Sequence, residues 1–246
     1  MRYFLVMSYL VVVLIVGGLI VIHELGHLLV AKLCRIPIAE FSIGFGPKLV
    51  GRKWGETTYR ISAVPIGGYV LPALDERGAR EHPVSNRILF ALGGPFANVV
   101  AAFAGLLALG VMELGLGAAG AVVFATAGVW TNVGQIAAAL STLFADPSQL
   151  SGIVGIVAIG GSQFGSTVAG LLTFSVFINL NLAVLNLLPL PPLDGGKILF
   201  CLLEKIYQPL IRIQMPATLA GWAFVLGLMV YATIQDLQRI AGGLFA

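Results

Sequence analysis

The sequence predicts an all-α polytopic membrane protein with about four core transmembrane helices and a small membrane-associated β-hairpin or sheet. Composition is the first reason: 58% of the 246 residues are hydrophobic and only 10% are charged. Mean hydropathy is +0.97, and a soluble domain carries about 25% charged residues. The second reason is that apolar segments of bilayer length fall near 4–33, 88–112, 168–190 and 217–234. The third is the stretch 36–72, whose alternating, β-branched composition and glycines fit strands better than a helix or an ordinary loop. The net charge of +3 leaves no basic stripe for nucleic acid. The chain reads as one integral membrane domain spanning 1–246.

The first span carries His23-Glu24-Leu25-Gly26-His27. Histidines four apart on a helix project from one face, so both imidazoles can reach one zinc ion. A glutamate between them stands where it can take a proton from water, the division of labour in zinc peptidases. Ionisable groups are costly in an apolar span and usually face a partner, a cavity or an ion. The plainer alternative is that the three residues hydrogen-bond neighbouring helices. The span runs on to Leu33 without a small-residue cleavage site, so it reads as retained.

A catalytic zinc usually takes three protein ligands. His82, the only other histidine, sits in a polar stretch, and Cys34 and Cys201 are isolated. Asp194 ends the run Asn186-Leu-Leu-Pro189-Leu-Pro191-Pro192-Leu193, where prolines must break the helix. Irregular backbone at membrane depth is tolerated when it is packed in protein or lines a cavity. Asp194 is therefore a candidate third ligand, with capping of the helix starting near Gly195 as the competing role.

Within 36–72, Phe41–Leu49 and Thr57–Val64 read as strands, with Gly51–Gly55 as the turn and Pro65–Val70 closing the unit. A sheet edge beside the metal would hold an extended substrate through main-chain hydrogen bonds. A hairpin with only a packing role is the alternative. Lys and Arg gather in 32–87 and again after 196, while 113–165 has none. By the positive-inside rule, the former loops are cytoplasmic and 113–165 is an extracytoplasmic apolar connection, either amphipathic helices or an extra pair of short spans. The His pair and Asp194 then share the cytoplasmic side of a multi-pass protein in the cell's inner (cytoplasmic) membrane.

These residues carry a family resemblance. The chain resembles the site-2 protease family of intramembrane zinc metalloproteases through His23–His27, Gly44-Phe45-Gly46-Pro47, Pro65-Ile-Gly67-Gly68-Tyr69 and Gly93-Gly94-Pro95-Phe-Ala-Asn98. Leu150-Ser-Gly152-Ile-Val-Gly155 and Asn181 to Gly195 complete the match. The resemblance implies a Zn2+ cofactor held by His23, His27 and Asp194, within the unit 168–196 for the last of these. It implies Glu24 as general base and Asn186 as donor to the scissile carbonyl or its oxyanion. It further implies that Asn181 helps hold substrate, and that the strand around Ile43, Gly44, Phe45 and Gly46, running to Leu49, is the edge that receives it. The implied activity is hydrolysis of transmembrane segments in single-span partners within the lipid bilayer. An anti-sigma factor, a membrane-bound regulator or a signal-peptide remnant would be substrates of that kind. Many bacterial members carry a PDZ domain, for which the interval from Glu113 to Leu150 is too short and too apolar. Two other activities also fit parts of the pattern. A membrane-anchored zinc protease acting on soluble or misfolded proteins would normally need a large soluble domain. A metal or ion transporter would show two related halves, and no such repeat is visible.

Overall fold

The computed structural model describes residues 2–73, 82–143, 151–164, 167–207 and 212–242. In chain order these form helix α1 (Arg2–Leu33), strands β1 (Ile38–Trp54) and β2 (Thr57–Pro72), and helices α2 (Val84–Met112) and α3 (Ala118–Leu143). Then come α4 (Ile153–Ile159) with a π-helical turn (Gly160–Phe164), α5 (Val168–Asn186), α6 (Asp194–Ile206) and α7 (Gln214–Ala241). Most of the polar 77–83 stretch lies outside the described residues.

Among the described residues, five helices are long and apolar enough to cross a membrane. The expected four become five because α3 supplies a 24-residue apolar stretch, Ala118–Ser141, inside the 113–165 connection. Its mean hydropathy of 1.3 is below the 1.8–2.2 of the others, since alanine and glycine contribute little apolar surface. The third expected span also ends earlier, at Asn186, where the Pro189–Pro192 run takes over. The chain is thus a multi-pass helical membrane protein with a small antiparallel sheet.

Backbone packing groups the chain into two compact units. One comprises Met1–Ile15, Ala101–Val184 and Ala220–Ala246. In it, the backbone N–H groups of Gly152 and Gly155 donate to Asp236 Oδ2 at 2.9 and 2.7 Å. Asp236 is fully buried, so the Gly152–Gly155 motif is where α7 delivers a carboxylate to the start of α4. A Cβ on Gly155 would stand 2.5 Å from Asp236 Oδ1.

The other unit comprises Val16–Val100 and Leu185–Leu219 and contains the site. Helix α1 ends with Arg35 in the left-handed region (φ 56°) and Ile36 N–H donating to Ala31 carbonyl at 2.8 Å, a Schellman-like stop. The chain then turns directly into β1, and Leu28, Ala31, Ile36, Ile38 and Phe41 bury together, fixing the sheet against the end of α1. The β1–β2 turn falls at Gly55–Glu56, with Gly55 at φ 62°. The expected turn at Gly51–Gly55 is therefore displaced. Gly51 pairs with Arg60 inside the ladder, and the glycine that tolerates positive φ is Gly55.

Within the expected receiving stretch Ile43–Leu49, Phe45 and Lys48 each pair on one side only, with Val64 and Ser62, whereas the stretch begins inside the sheet. Ser42 lies opposite both Tyr69 and Arg60, and Ile43 opposite both Gly68 and Ile61. Ile43 is therefore an interior position of the sheet, paired on both sides. The carbonyls of Gly44 and Gly46, both at positive φ, accept from Ser42 Oγ (2.9 Å) and Arg60 (2.8 Å). Phe45 stacks on Tyr69 with ring centroids 6.0 Å apart. The Gly68–Pro72 stretch of β2, by contrast, pairs with β1 on one side only.

Candidate metal centre

His23 and His27 are both buried on one face of α1, and Asp194 is the first residue of α6. Their ligand atoms converge. His23 Nε2 lies 3.1 Å from Asp194 Oδ2, His27 Nε2 lies 3.2 Å from the same oxygen, and the two Nε2 atoms are 3.2 Å apart. A tetrahedral zinc with bonds of about 2.0–2.1 Å separates its ligand atoms by about 3.3–3.4 Å. The triangle is within a few tenths of an ångström of that requirement. Two imidazoles and one carboxylate suit zinc chemically and leave a fourth position for water.

Each ligand has its own support. His27 Nδ1–H donates to the Phe90 carbonyl at 2.7 Å, which leaves its Nε2 lone pair aimed into the triangle. His23 Nδ1 is 3.2 Å from the Asn98 side-chain amide. Asp194 Oδ1 accepts from Lys197 Nζ at 2.8 Å, so only Oδ2 faces the histidines. Leu193 is the N-cap of α6 and makes no side-chain capping bond, and the Asp194 oxygens go to His23, His27 and Lys197. The competing role of Asp194 as a helix cap therefore has no geometric counterpart here.

Glycines let these elements approach. Helices α1 and α2 meet backbone to backbone at Gly26 and Gly93, each of which would drive an added Cβ into the other's carbonyl. At Gly195 and Gly196 an added Cβ would strike the carbonyls of Leu187, Leu188 and Leu190, so the proline-broken segment folds closely over the start of α6. Arg87 on α2 binds Glu204 on α6 at 2.7 Å and ties α6 to α2. A Cβ at Gly94 would stand 2.5 Å from Nε2 of both histidines. Gly94→Ala is accordingly expected to weaken zinc binding by on the order of 10–100-fold, the range for disturbed ligand support. Alanine favours a helix by about 1 kcal/mol over glycine, so a loss would come from the added carbon. Chelator titration checks this, and unchanged affinity would mean that the imidazoles yield freely.

Glu24 is partly exposed beside these buried ligands. A Cβ on Gly68 would lie 3.6 Å from Glu24 Cγ, which brings the one-sided stretch of β2 next to the glutamate. Asn186 is the last residue of α5 and is partly buried. Asn181 belongs to the other unit, where its amide donates to the Phe177 carbonyl at 2.8 Å. Sequence reasoning assigned no role to Asn98, Lys197, Gly94 or the Phe90 carbonyl.

The comparisons with known proteins decide the family. The model of peptidase family M50 matches residues 11–230. The chain belongs to peptidase family M50, the site-2 protease family. Its relatives include three proteins named "putative zinc metalloprotease". The one from Clostridium perfringens is 28% identical over 324 aligned positions, covering 90% of this chain and 96% of the relative. The one from Clostridium acetobutylicum is 25% identical over 326 positions, covering 92% and 96%. Both alignments are longer than the 246-residue chain, so these relatives carry residues with no counterpart here. The one from Fusobacterium nucleatum is 40% identical over 103 residues, covering 39% of the chain and 30% of the relative. An M50 member with such relatives is a zinc metallopeptidase, and zinc is its cofactor.

Proposed function

We propose that this M50 peptidase is an intramembrane endopeptidase that cleaves transmembrane segments of partner membrane proteins. His23, His27 and Asp194 hold the zinc and Glu24 is the general base. One observation carries the reading: two histidines of a span-length apolar helix and Asp194 bring three buried ligand atoms together at 3.1–3.2 Å, with Glu24 next to His23 in the chain.

Bound zinc supplies a water with pKa near 7 and polarises the scissile carbonyl. Glu24 takes the water proton and passes it to the leaving amine. Asn186 donates to the developing oxyanion, a contribution of about 10²–10³-fold in comparable sites. An extended substrate needs a main-chain partner close to Glu24, and the Gly68–Leu71 edge of β2 fits that need better than Ile43, whose two sides are taken. The substrates are single-span proteins, with an anti-sigma factor, a membrane-bound regulator or a signal-peptide remnant as candidates. Detergent-purified protein, assayed for bound zinc and for cleavage of a model transmembrane peptide, tests the reading. Zinc binding with cleavage of soluble proteins alone would favour a membrane-anchored protease, and zinc flux without hydrolysis would favour a transporter.

The active site faces the cytoplasm of a cell whose inner membrane holds the chain, because the Lys/Arg-rich loops adjoin it, with the short apolar helix Val154–Phe164 pairing with α3 so that both loops fall on one side. Single cysteines at 82–83 are expected to react with an impermeant thiol reagent from the cytoplasmic side only, and those at 115–117 from the outside only. Reversed labelling would move the active site to the opposite face.

A further inference from the structure

We propose that Asn98 is the positioning residue for His23, accepting a hydrogen bond from its Nδ1–H through Oδ1 when zinc is bound. The inference rests on the zinc reading above and goes beyond it. Asn98 is fully buried in α2, one helical turn after Gly94. Its Nδ2 faces His23 Nδ1 at 3.2 Å, and its Oδ1 has no hydrogen-bond partner among the described residues. With Nδ2 donating, His23 Nδ1 must be a lone pair, so the neutral ring carries its hydrogen on Nε2. That hydrogen points at Asp194 Oδ2, 3.1 Å away, and occupies the direction a metal ion needs.

A ligating imidazole must reverse this arrangement, with the lone pair on Nε2 and the hydrogen on Nδ1. His27 is already set, because the Phe90 carbonyl can only accept. For His23 the group within reach of Nδ1 is the Asn98 amide. Turned through 180°, that amide keeps its shape and offers Oδ1 in place of Nδ2. One amide group is left bare in either orientation, so burial does not choose between them, and the metal does. Asn98 thus serves His23 as the Phe90 carbonyl serves His27, while Lys197 does the corresponding work on Asp194. The difference is that an amide can meet the His23 ring in either hydrogen placement.

Substitution by aspartate separates acceptor from donor. Asn98→Asp keeps the size and offers only oxygens, forming the carboxylate–histidine–metal arrangement that raises ligand basicity. Asn98→Ala removes the partner altogether. The full-length protein in detergent is titrated with zinc against a competing chelator, and the visible spectrum of its Co2+ form is recorded. N98A is expected to bind zinc about 10–100-fold more weakly than the parent chain, with an altered Co2+ spectrum. N98D is expected to bind zinc at least as tightly as the parent chain and to restore its spectrum. Equal affinity in N98A and the parent, or N98D as weak as N98A, would overturn the proposal. If N98A does not fold, N98D alone decides. Absence of zinc binding by the parent chain would overturn the metal site itself, and with it this role for Asn98.

Discussion

Zinc-loaded Glu24→Gln protein is expected to keep its metal and to lose cleavage of a transmembrane substrate by about 10²–10⁴-fold, the usual contribution of a positioned general base. The amide nearly matches the carboxylate in shape, so packing at the end of α1 is preserved. What it lacks is a site for the water proton at neutral pH. Glu24 stands between the two ligand histidines in sequence yet is more exposed than either, as befits a group that meets both water and substrate. Its Cγ also lies 3.6 Å from a Cβ built on Gly68, at the β2 edge. Zinc content and turnover are measured on the same preparation. Cleavage at the parental rate by a fully zinc-loaded variant would remove Glu24 from the chemistry.

Asp194→Ala is expected to lower zinc affinity by at least the 10–100-fold typical of losing a supporting partner, and turnover falls with it. The carboxylate joins both histidines through Oδ2 and Lys197 through Oδ1, so its removal opens the triangle on two sides. Two neutral imidazoles alone make a poor zinc site, since closed and catalytic sites use three or four protein ligands. A chelator titration comparing Asp194→Ala with the parent chain makes the test. Unchanged zinc affinity would leave Asp194 with no role beyond its ion pair to Lys197, and the third ligand would have to be sought elsewhere.

Much of the candidate site is legible in the sequence because its signals are local. A four-residue spacing places His23 and His27 on one helical face whatever surrounds them. The proline run before Asp194 dictates a broken backbone, and α5 does end at Asn186 with α6 starting at Asp194. The supports of those ligands are not legible in this way. Asn98, Lys197, Gly94 and the Phe90 carbonyl reach the site only because α2 crosses α1 at the Gly26–Gly93 contact and α6 is tied to α2 by Arg87–Glu204. Such a crossing leaves no periodic trace in the chain.

The sheet was only half legible for a related reason. Strand composition marks where β1 and β2 run, but not how often each is paired. Ile43 looked like an edge because a simple hairpin leaves one side of each strand open. The actual register folds β2 around β1, so that Ile43 meets Gly68 and Ile61 at once. Helix α3 was left open between an amphipathic helix and an extra span because its alanines and glycines keep hydropathy low, although no charged residue interrupts Ala118–Ser141. Asp236 escaped too. An acid in the last apolar helix is visible in the sequence, but its partners at Gly152 and Gly155 lie more than 80 positions away.

The most direct measurement is the position of the bond that is cut. Zinc-loaded protein reconstituted in liposomes with a single-span substrate, and a Glu24→Gln control beside it, allows the products to be mapped by mass spectrometry. The account predicts a cut inside the substrate's apolar span, made by the parent chain and absent from the control. Cuts confined to the substrate's water-exposed segments, or equal cutting by the control, would contradict it.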